Sequence, residues 1–362
     1  MTDKEIYELA TSIPEYWNEH LEEKIAKIRE NQIKAGREGT SVGLISDIHW
    51  AINRHHSAAL LEKVLTDCAI PYYFDAGDIV SGAGICPPVN IINDLIRTQK
   101  LFSRIQHKRL VTQGNHDTCY STFQAPKYYA QCISASEVYN YCYRVMAQYP
   151  DRVFGPTGTY YYVDLPVYKM RYIILDTHIV PSDENKEDGT PVYHKANISL
   201  MQEELQWLAH TALDVPTTDW SVILCTHEVP AETGLAPKNY DVAMGIIDAF
   251  RRHKRYEITK LYEDTPWCNV CLSCDFTGRG GNFIVWVGGH AHYAILKDFD
   301  GIQTMTVNCD CTHNSKSSPF EHVAETITEQ AFDVLTVDKK NHKVYVTGIG
   351  CGEDREFEYE VF

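Results

Sequence analysis

Six short apolar runs, each ending abruptly in a small polar group, constrain this chain more than any other feature. Val42-Gly-Leu-Ile-Ser46 runs into Asp47, Pro71-Tyr-Tyr-Phe-Asp75 into Gly77-Asp78, and Arg109-Leu-Val-Thr112 into Gly114-Asn115-His116-Asp117. Arg171-Tyr-Ile-Ile-Leu175 leads to Asp176-Thr-His178, Ser221-Val-Ile-Leu-Cys225 to Thr226-His227, and Phe283-Ile-Val-Trp-Val287 to Gly288-Gly-His290-Ala-His292. Helical patterns lie between several of them, over 57–68, 91–105 and 200–211. Runs of this length and composition read as strands, and strands alternating with helices predict an α/β fold. Ligand-binding groups in such folds collect in the loops at the carboxyl ends of the strands.

The pattern changes after Gly301. Ile302 to Asn308, Ala331 to Val337, Lys343 to Gly348 and Glu356 to Phe362 read as consecutive strands, an antiparallel continuation of the sheet system. Residues 1–38 read as a helical extension, because Trp17, Leu21, Ile25 and Ile28 recur at helical spacing and that stripe needs a surface to cover. Residues 39–362 read as one domain. Within it, 118–160 are rich in Tyr and Cys and fit no simple period, which suggests an insertion that shapes a cleft.

A net charge of −16, from 33 basic and 49 acidic residues, repels nucleic-acid backbones and anionic membranes, so neither is expected as a partner. An anionic substrate stays open, since bound divalent cations reverse the field inside a cleft. The first ten residues lack a basic stretch followed by an apolar one, and no apolar run approaches the roughly 20 residues that span a bilayer. The expectation is a soluble, cytoplasmic protein whose 12 cysteines are chiefly buried thiols. Oligomeric state is not legible.

The strand-end donors are carboxylate and amide oxygens and imidazole nitrogens, a set that suits Mn, Fe or Zn. In Asp47-Ile-His49 and in His290-Ala-His292, residues two apart at a strand end point to one side, so each pair can grip one ion. Gly77-Asp78 puts a carboxylate on a tight turn, where its two oxygens can bridge two ions. In Gly114-Asn115-His116-Asp117 an amide oxygen and an imidazole stand side by side, one to ligate and one to face substrate.

The ordered set D-x-H, G-D, G-N-H-D, a lone His after a strand, and G-H-x-H resembles the calcineurin-like metallophosphoesterases over residues 42 to about 310. The resemblance implies a four-layer αββα double β-sandwich with two divalent transition-metal ions at the strand ends. Carried over by position, Asp47, His49 and His292 would hold the first metal, Asn115, His227 and His290 the second, and Asp78 would bridge. His116 would be the general acid or electrostatic stabiliser. The implied reaction is in-line attack on phosphorus by a metal-bound hydroxide, between ions about 3.5–4 Å apart. Phosphodiesters or small phosphomonoesters are the expected substrates. The protein-phosphatase branch has G-D-x-x-D-R-G where this chain has Gly77-Asp78-Ile-Val-Ser81-Gly82-Ala83, so the residues that orient the catalytic His and hold phosphate there are missing. A pyrophosphate-bond hydrolase acting on nucleotides or sugar-nucleotides is one alternative, and a non-catalytic binding scaffold of the same fold is another.

Asp117 either orients His116 or closes its turn by capping. His55 and His56 either reach the substrate phosphate or open the helix at Ser57. His178 either supports a metal-bound imidazole or belongs to a structural loop. Arg279, in Gly278-Arg-Gly-Gly281, is placed at a turn beside the cleft, near substrate. Cys268, Cys271 and Cys274, with Cys309 and Cys311, lack two clean C-x-x-C pairs and read as ordinary thiols ahead of a structural zinc site.

Overall fold

The structure is a computed structural model that describes residues 11–49, 56–81, 88–118, 135–182, 199–230, 238–310 and 321–362, with isolated positions at 4, 8, 184, 187 and 192. The first apolar run forms β1 (Thr40–Ile45); β2 (Tyr72–Asp75) pairs with it in parallel, and β3 (Arg109–Val111) pairs in parallel with β2. On the other edge of β1 the tail strands add in antiparallel order: β13 (Ala331–Asp338), β14 (Lys343–Gly350) and β15 (Arg355–Glu358). The first sheet thus runs β15-β14-β13-β1-β2-β3.

A second sheet, ordered β11-β12-β10-β7-β6-β5-β4, repeats the plan. Its parallel centre is β6 (Met170–Ile174), β7 (Ser221–Cys225), β10 (Asn282–Gly288) and β12 (Ile302–Thr306). Antiparallel β4 (Arg152–Phe154) and β5 (Tyr161–Leu165) extend one edge and β11 (Ile295–Phe299) the other. A separate ribbon pairs β8 (Arg255–Lys260) with β9 (Val270–Asp275).

The two sheets face each other across one core. Leu44, Phe74 and Leu110 of the first meet Tyr172, Ile174, Ile223 and Val285 of the second within a single buried cluster. Helices cover both outer faces. α1 (Asn18–Ala35) buries Leu21, Ile25 and Ile28 over β13 and β14, and α2 (Ser57–Asp67) buries Leu60, Leu61 and Val64. On the far side, Leu205 of α5 (Gln202–Trp207) and Ile246, Ile247 and Phe250 of α6 (Tyr240–Arg251) pack on Val222, Leu224 and Trp286. α3 (Pro88–Leu101) and α4 (Ala135–Val138) complete the helices. The architecture is the four-layer αββα sandwich. Parallel strands covered on both faces explain why β1 and β7 read as continuous apolar runs with no alternation.

The aperiodic stretch has a physical cause. α4 passes into a π-helical turn at Tyr139–Tyr143, so no one helical period persists, and β4 has only three residues. Tyr120, Tyr128 and Tyr129 lie outside the described residues.

Candidate metal centre

All six strand-end groups emerge on one side, because β1, β2 and β3 run parallel in one sheet and β6, β7 and β10 in the other. Backbone hydrogen bonds stitch the loops together: Asp47 N donates to Gly77 O (2.9 Å), His49 N to Asp78 O (3.0 Å) and Gly289 N to His227 O (2.8 Å). Asp47, His49, Asp78, His290 and His292 all have positive φ, between 43° and 65°. Left-handed backbone in five non-glycine residues is costly and concentrates where a site demands a geometry. Gly289 is required for a different reason, since a Cβ there would stand 1.7 Å from Ser46 Oγ and 2.5 Å from Asp47 Oδ2.

The donors fall into two groups that share one carboxylate. Asp47, His49, Asp78 and His292 form the first, and Asp78, His227 and His290 the second, with the ligand atoms of each group within 4.8 Å of one another. Asn115 joins the second through Oδ1, which lies 3.2 Å from His227 Nε2 and 2.9 Å from His290 Nδ1. His290 and His292 therefore divide between the groups instead of gripping one ion together. Both stand past the end of β10 in left-handed conformation, where strand alternation no longer sets side-chain direction.

The residues fit a pair of cations. Asp47 and Asp78 are fully buried, and each spends one oxygen on a backbone amide: Asp47 Oδ2 accepts from His290 N (2.9 Å), Asp78 Oδ1 from His116 N (2.7 Å). The other oxygens, Asp47 Oδ1 and Asp78 Oδ2, accept no well-aligned hydrogen bond, and each faces an imidazole nitrogen at 3.2 Å, His292 Nε2 and His227 Nε2. Ring nitrogens meet nitrogen to nitrogen, at 3.2 Å for His49 and His292 and 3.3 Å for His227 and His290. Buried acceptors left unmet, with lone pairs converging, are costly without a positive charge among them. His227 Nδ1 donates to Ala76 O at 2.6 Å, which fixes Nε2 as the nitrogen turned to the group. Burial and the adjacent His116 ring lower His49 to about 3, so its imidazole is neutral. Burial pushes the Asp47 and Asp78 carboxyls upward, but His292 beside Asp47 and His227 beside Asp78 outweigh it and hold both below the ordinary range.

His116 stands over this set, its ring edge-on to His49 with centroids 4.7 Å apart and Nε2 3.9 Å from Asp78 Oδ2. Its side chain is 22% exposed, so it faces the open side of the centre. Asp117 does not reach it. Asp117 Oδ1 accepts from Val80 N (3.1 Å) and Oδ2 from Gly114 N (2.8 Å), the turn-closing role of the two left open.

His178 reaches the edge of the centre. Its Nε2 lies 2.9 Å from Glu228 Oε1, which is 3.8 Å from His290 Nδ1. Glu228 is buried, its Oε2 accepts from Thr177 Oγ1 (2.5 Å), and the His178 and His227 rings overcome the effect of burial to keep it ionised. Sequence reasoning passed over Glu228, although its position directly after His227 was a usable signal.

Two expectations move away from the site. His56 is buried beneath the N-terminal segment, with Nδ1 against Ser12 O (3.2 Å) and Nε2 4.0 Å from Glu329. Arg279 lies before β10, and that seven-residue strand separates it from the Gly289 loop by about 20 Å. It bonds instead to Asp275 O (2.9 Å) and Asp214 (3.3 Å). His55 lies outside the described residues, as does Cys311. On β9, Cys271 is exposed while Cys274 is buried, as strand alternation requires, so the spacing does not converge on a metal. Cys309 lies elsewhere, 3.6 Å from His322.

Among solved structures, the chain is similar to GAP50, the anchor in the inner membrane complex of Plasmodium, at 10% identity and TM-score 0.45, covering 90% of this chain and 89% of that one. It is similar to a Staphylococcus aureus protein provisionally named a 5′-nucleotidase at 14% identity and TM-score 0.42, covering 89% and 54%. For the phosphopantetheinyl hydrolase of Mycobacterium tuberculosis the values are 15% and 0.33, covering 75% and 91%. No curated protein matches the chain. A family model described as calcineurin-like phosphoesterase matches residues 40–294, well over half of the 362 residues and every strand that delivers a donor. The chain belongs to the calcineurin-like phosphoesterase family.

Proposed function

We propose that this protein hydrolyses phosphate esters, phosphodiesters or small phosphomonoesters, at a centre of two divalent transition-metal ions, Mn, Fe or Zn. Asp47, His49 and His292 would hold one ion, Asn115, His227 and His290 the other, and Asp78 both. The observation that carries this reading is the pair of buried donor groups sharing Asp78. Such ions, when bound, supply Lewis acidity to phosphoryl oxygens and make water acidic enough to ionise near neutral pH. The chain's own residues do the rest. Asp78 Oδ1, held by His116 N, sets the distance between the shared carboxylate and the His116 ring. His116 Nε2, on the open side, is placed to give a proton to the leaving alkoxide oxygen or to neutralise its charge. The packed αββα scaffold keeps these loops from relaxing when charge develops.

The compartment kept in this reading is the cytoplasm. The described cysteines are free thiols, which suits a reducing environment, and no described helix is long and apolar enough to cross a membrane.

The test is hydrolysis of bis(p-nitrophenyl) phosphate and p-nitrophenyl phosphate by chelator-stripped protein with Mn, Zn, Fe or Mg restored singly. Metal-restored turnover is expected, and the preferred substrate separates diesterase from monoesterase. Two ions bound per chain without hydrolysis of either ester or of a diphosphate would favour a binding scaffold.

A further inference from the structure

Beside the donor groups lies a cavity of about 340 Å³. It opens at the carboxyl ends of β3 and β6, between Gln113, Asp176, His178, Tyr139 and the β4–β5 turn with Thr157 and Thr159. None of the donor residues lines it, but two of its lining residues lead to the metal centre, and the ring centroid of His178 lies 6.1 Å from that of His227. Gln113 is two residues before Asn115 on the same loop, and His178 contacts Glu228, which touches His290.

Carbonyl and carboxylate acceptors stand on its wall beside the hydroxyls of Ser136, Thr157 and Thr159 and the imidazole of His178. Gln113 Nε2 is committed to both oxygens of Asp176, at 2.8 and 2.7 Å. The Gln113 amide is thereby fixed in orientation, and its Oε1 is a buried acceptor without a partner, in a residue 4% exposed. Asp176 is fully buried and adds a carboxylate. Thr157 and Thr159 supply hydroxyls 3.0 Å apart that can accept or donate. Tyr139, lying on Tyr143 at an interplanar angle of 18°, offers a ring face. Such a wall asks for O–H or N–H donors on a compact ring, and its carboxylate repels a second phosphoryl group. The volume is at the small end of ligand pockets and suits one ring.

We infer that this cavity receives the leaving alcohol of the substrate, and that this alcohol is a polyhydroxylated ring, the sugar of a sugar phosphate or the ribose of a nucleotide. The inference rests on the phosphoesterase reading. With phosphorus at the donor groups, water's oxygen bonds to phosphorus, the bond from phosphorus to the sugar oxygen breaks, and a proton goes to that oxygen. The freed sugar keeps its hydroxyls on Gln113 Oε1 and the Thr159 hydroxyl.

The test compares ribose 5-phosphate, adenosine 5′-monophosphate, p-nitrophenyl phosphate and pyrophosphate with wild type, Thr159→Val and Tyr139→Leu, each variant first checked for unchanged thermal unfolding. For Thr159→Val the expected result is a loss of about tenfold in kcat/KM for the sugar-bearing esters, the scale of one or two ligand hydrogen bonds, with less than twofold change for p-nitrophenyl phosphate, whose leaving group has no second hydroxyl for Thr159. Tyr139→Leu should lower kcat/KM for every ring-bearing ester and leave pyrophosphate unchanged. The two sugar substrates tell free sugar phosphate from nucleotide. Saturation-transfer NMR of free ribose on metal-free protein should give a signal that either variant abolishes. Equal effects of Thr159→Val on all esters, no effect of either variant on any, or a preference for pyrophosphate would overturn the inference while leaving phosphoester hydrolysis standing. If p-nitrophenyl phosphate and every other ester are inert with every metal, the phosphoesterase reading falls and the leaving-group role with it, whatever the ribose signal.

Discussion

Replacing Asp78 by Asn isolates the charge of the shared carboxylate. Asp78 is 1% exposed, and its two oxygens have separate duties: Oδ1 accepts from His116 N at 2.7 Å, and Oδ2 lies 3.2 Å from His227 Nε2. An amide keeps an oxygen for the first duty, so the loop carrying Asn115 and His116 stays in place. What is lost is one unit of negative charge common to both donor groups. At about 4 Å and an effective dielectric near 20, a unit pair interacts by about 4 kcal/mol. With allowance for relaxation, that corresponds to at least about a hundredfold weaker binding of one ion. Metal content after equilibrium dialysis, isothermal titration with Mn or Zn, and hydrolysis of bis(p-nitrophenyl) phosphate read the outcome. The variant should hold at most one ion where wild type holds two, with turnover down at least a hundredfold and unfolding still cooperative. Two ions at unchanged affinity, with activity within threefold, would refute the reasoning.

Further outcomes test other parts of the molecule. His116→Ala should lower kcat by about 10²- to 10⁴-fold while both ions stay bound, and loss of metal instead would make His116 a ligand. Chelation should lower the unfolding temperature and restored metal should raise it with concentration; an unfolding temperature independent of metal argues against a preformed centre. Gly289→Ala should cut activity about 10- to 100-fold, because its Cβ would collide with Ser46 Oγ and displace Asp47, and wild-type activity would show that the loop yields freely. Arg109 and Asp75 are both fully buried and joined at 2.9 and 2.5 Å. Arg109→Met should therefore cost about 3–5 kcal/mol in urea unfolding, and Asp75→Asn added to it should recover much of the loss. A single-variant cost under about 1 kcal/mol would mean that the charge finds water.

The sequence by itself determined the donor chemistry and where along the chain it sits. A strand buried on both faces must be apolar and must end at a turn, so the boundary between Ile45 and Asp47, or between Val287 and His290, is visible without coordinates. The glycines at 77 and 114 mark where backbones approach closely and Gly289 where the Ser46 and Asp47 side chains press on the loop, and the glycines themselves are visible locally. Which loops meet was decided by the tertiary structure. Two sheets with parallel centres bring six loops to one face, five of them carrying the donors, and only their packing gives His292 to Asp47 and His290 to Asn115. Nearness in sequence misled in two cases: His56, seven residues from His49, turns beneath the N-terminal segment, and Arg279, eleven residues from His290, stands at the wrong end of β10. Glu228 and the acceptor-lined cavity carry no periodic signal, because Glu228's partner His178 follows the neighbouring strand β6 and Gln113's partner Asp176 follows a strand of the other sheet. Strand ends are set by local hydrophobic pattern, whereas the contacts between them depend on how the sheets close over a common core.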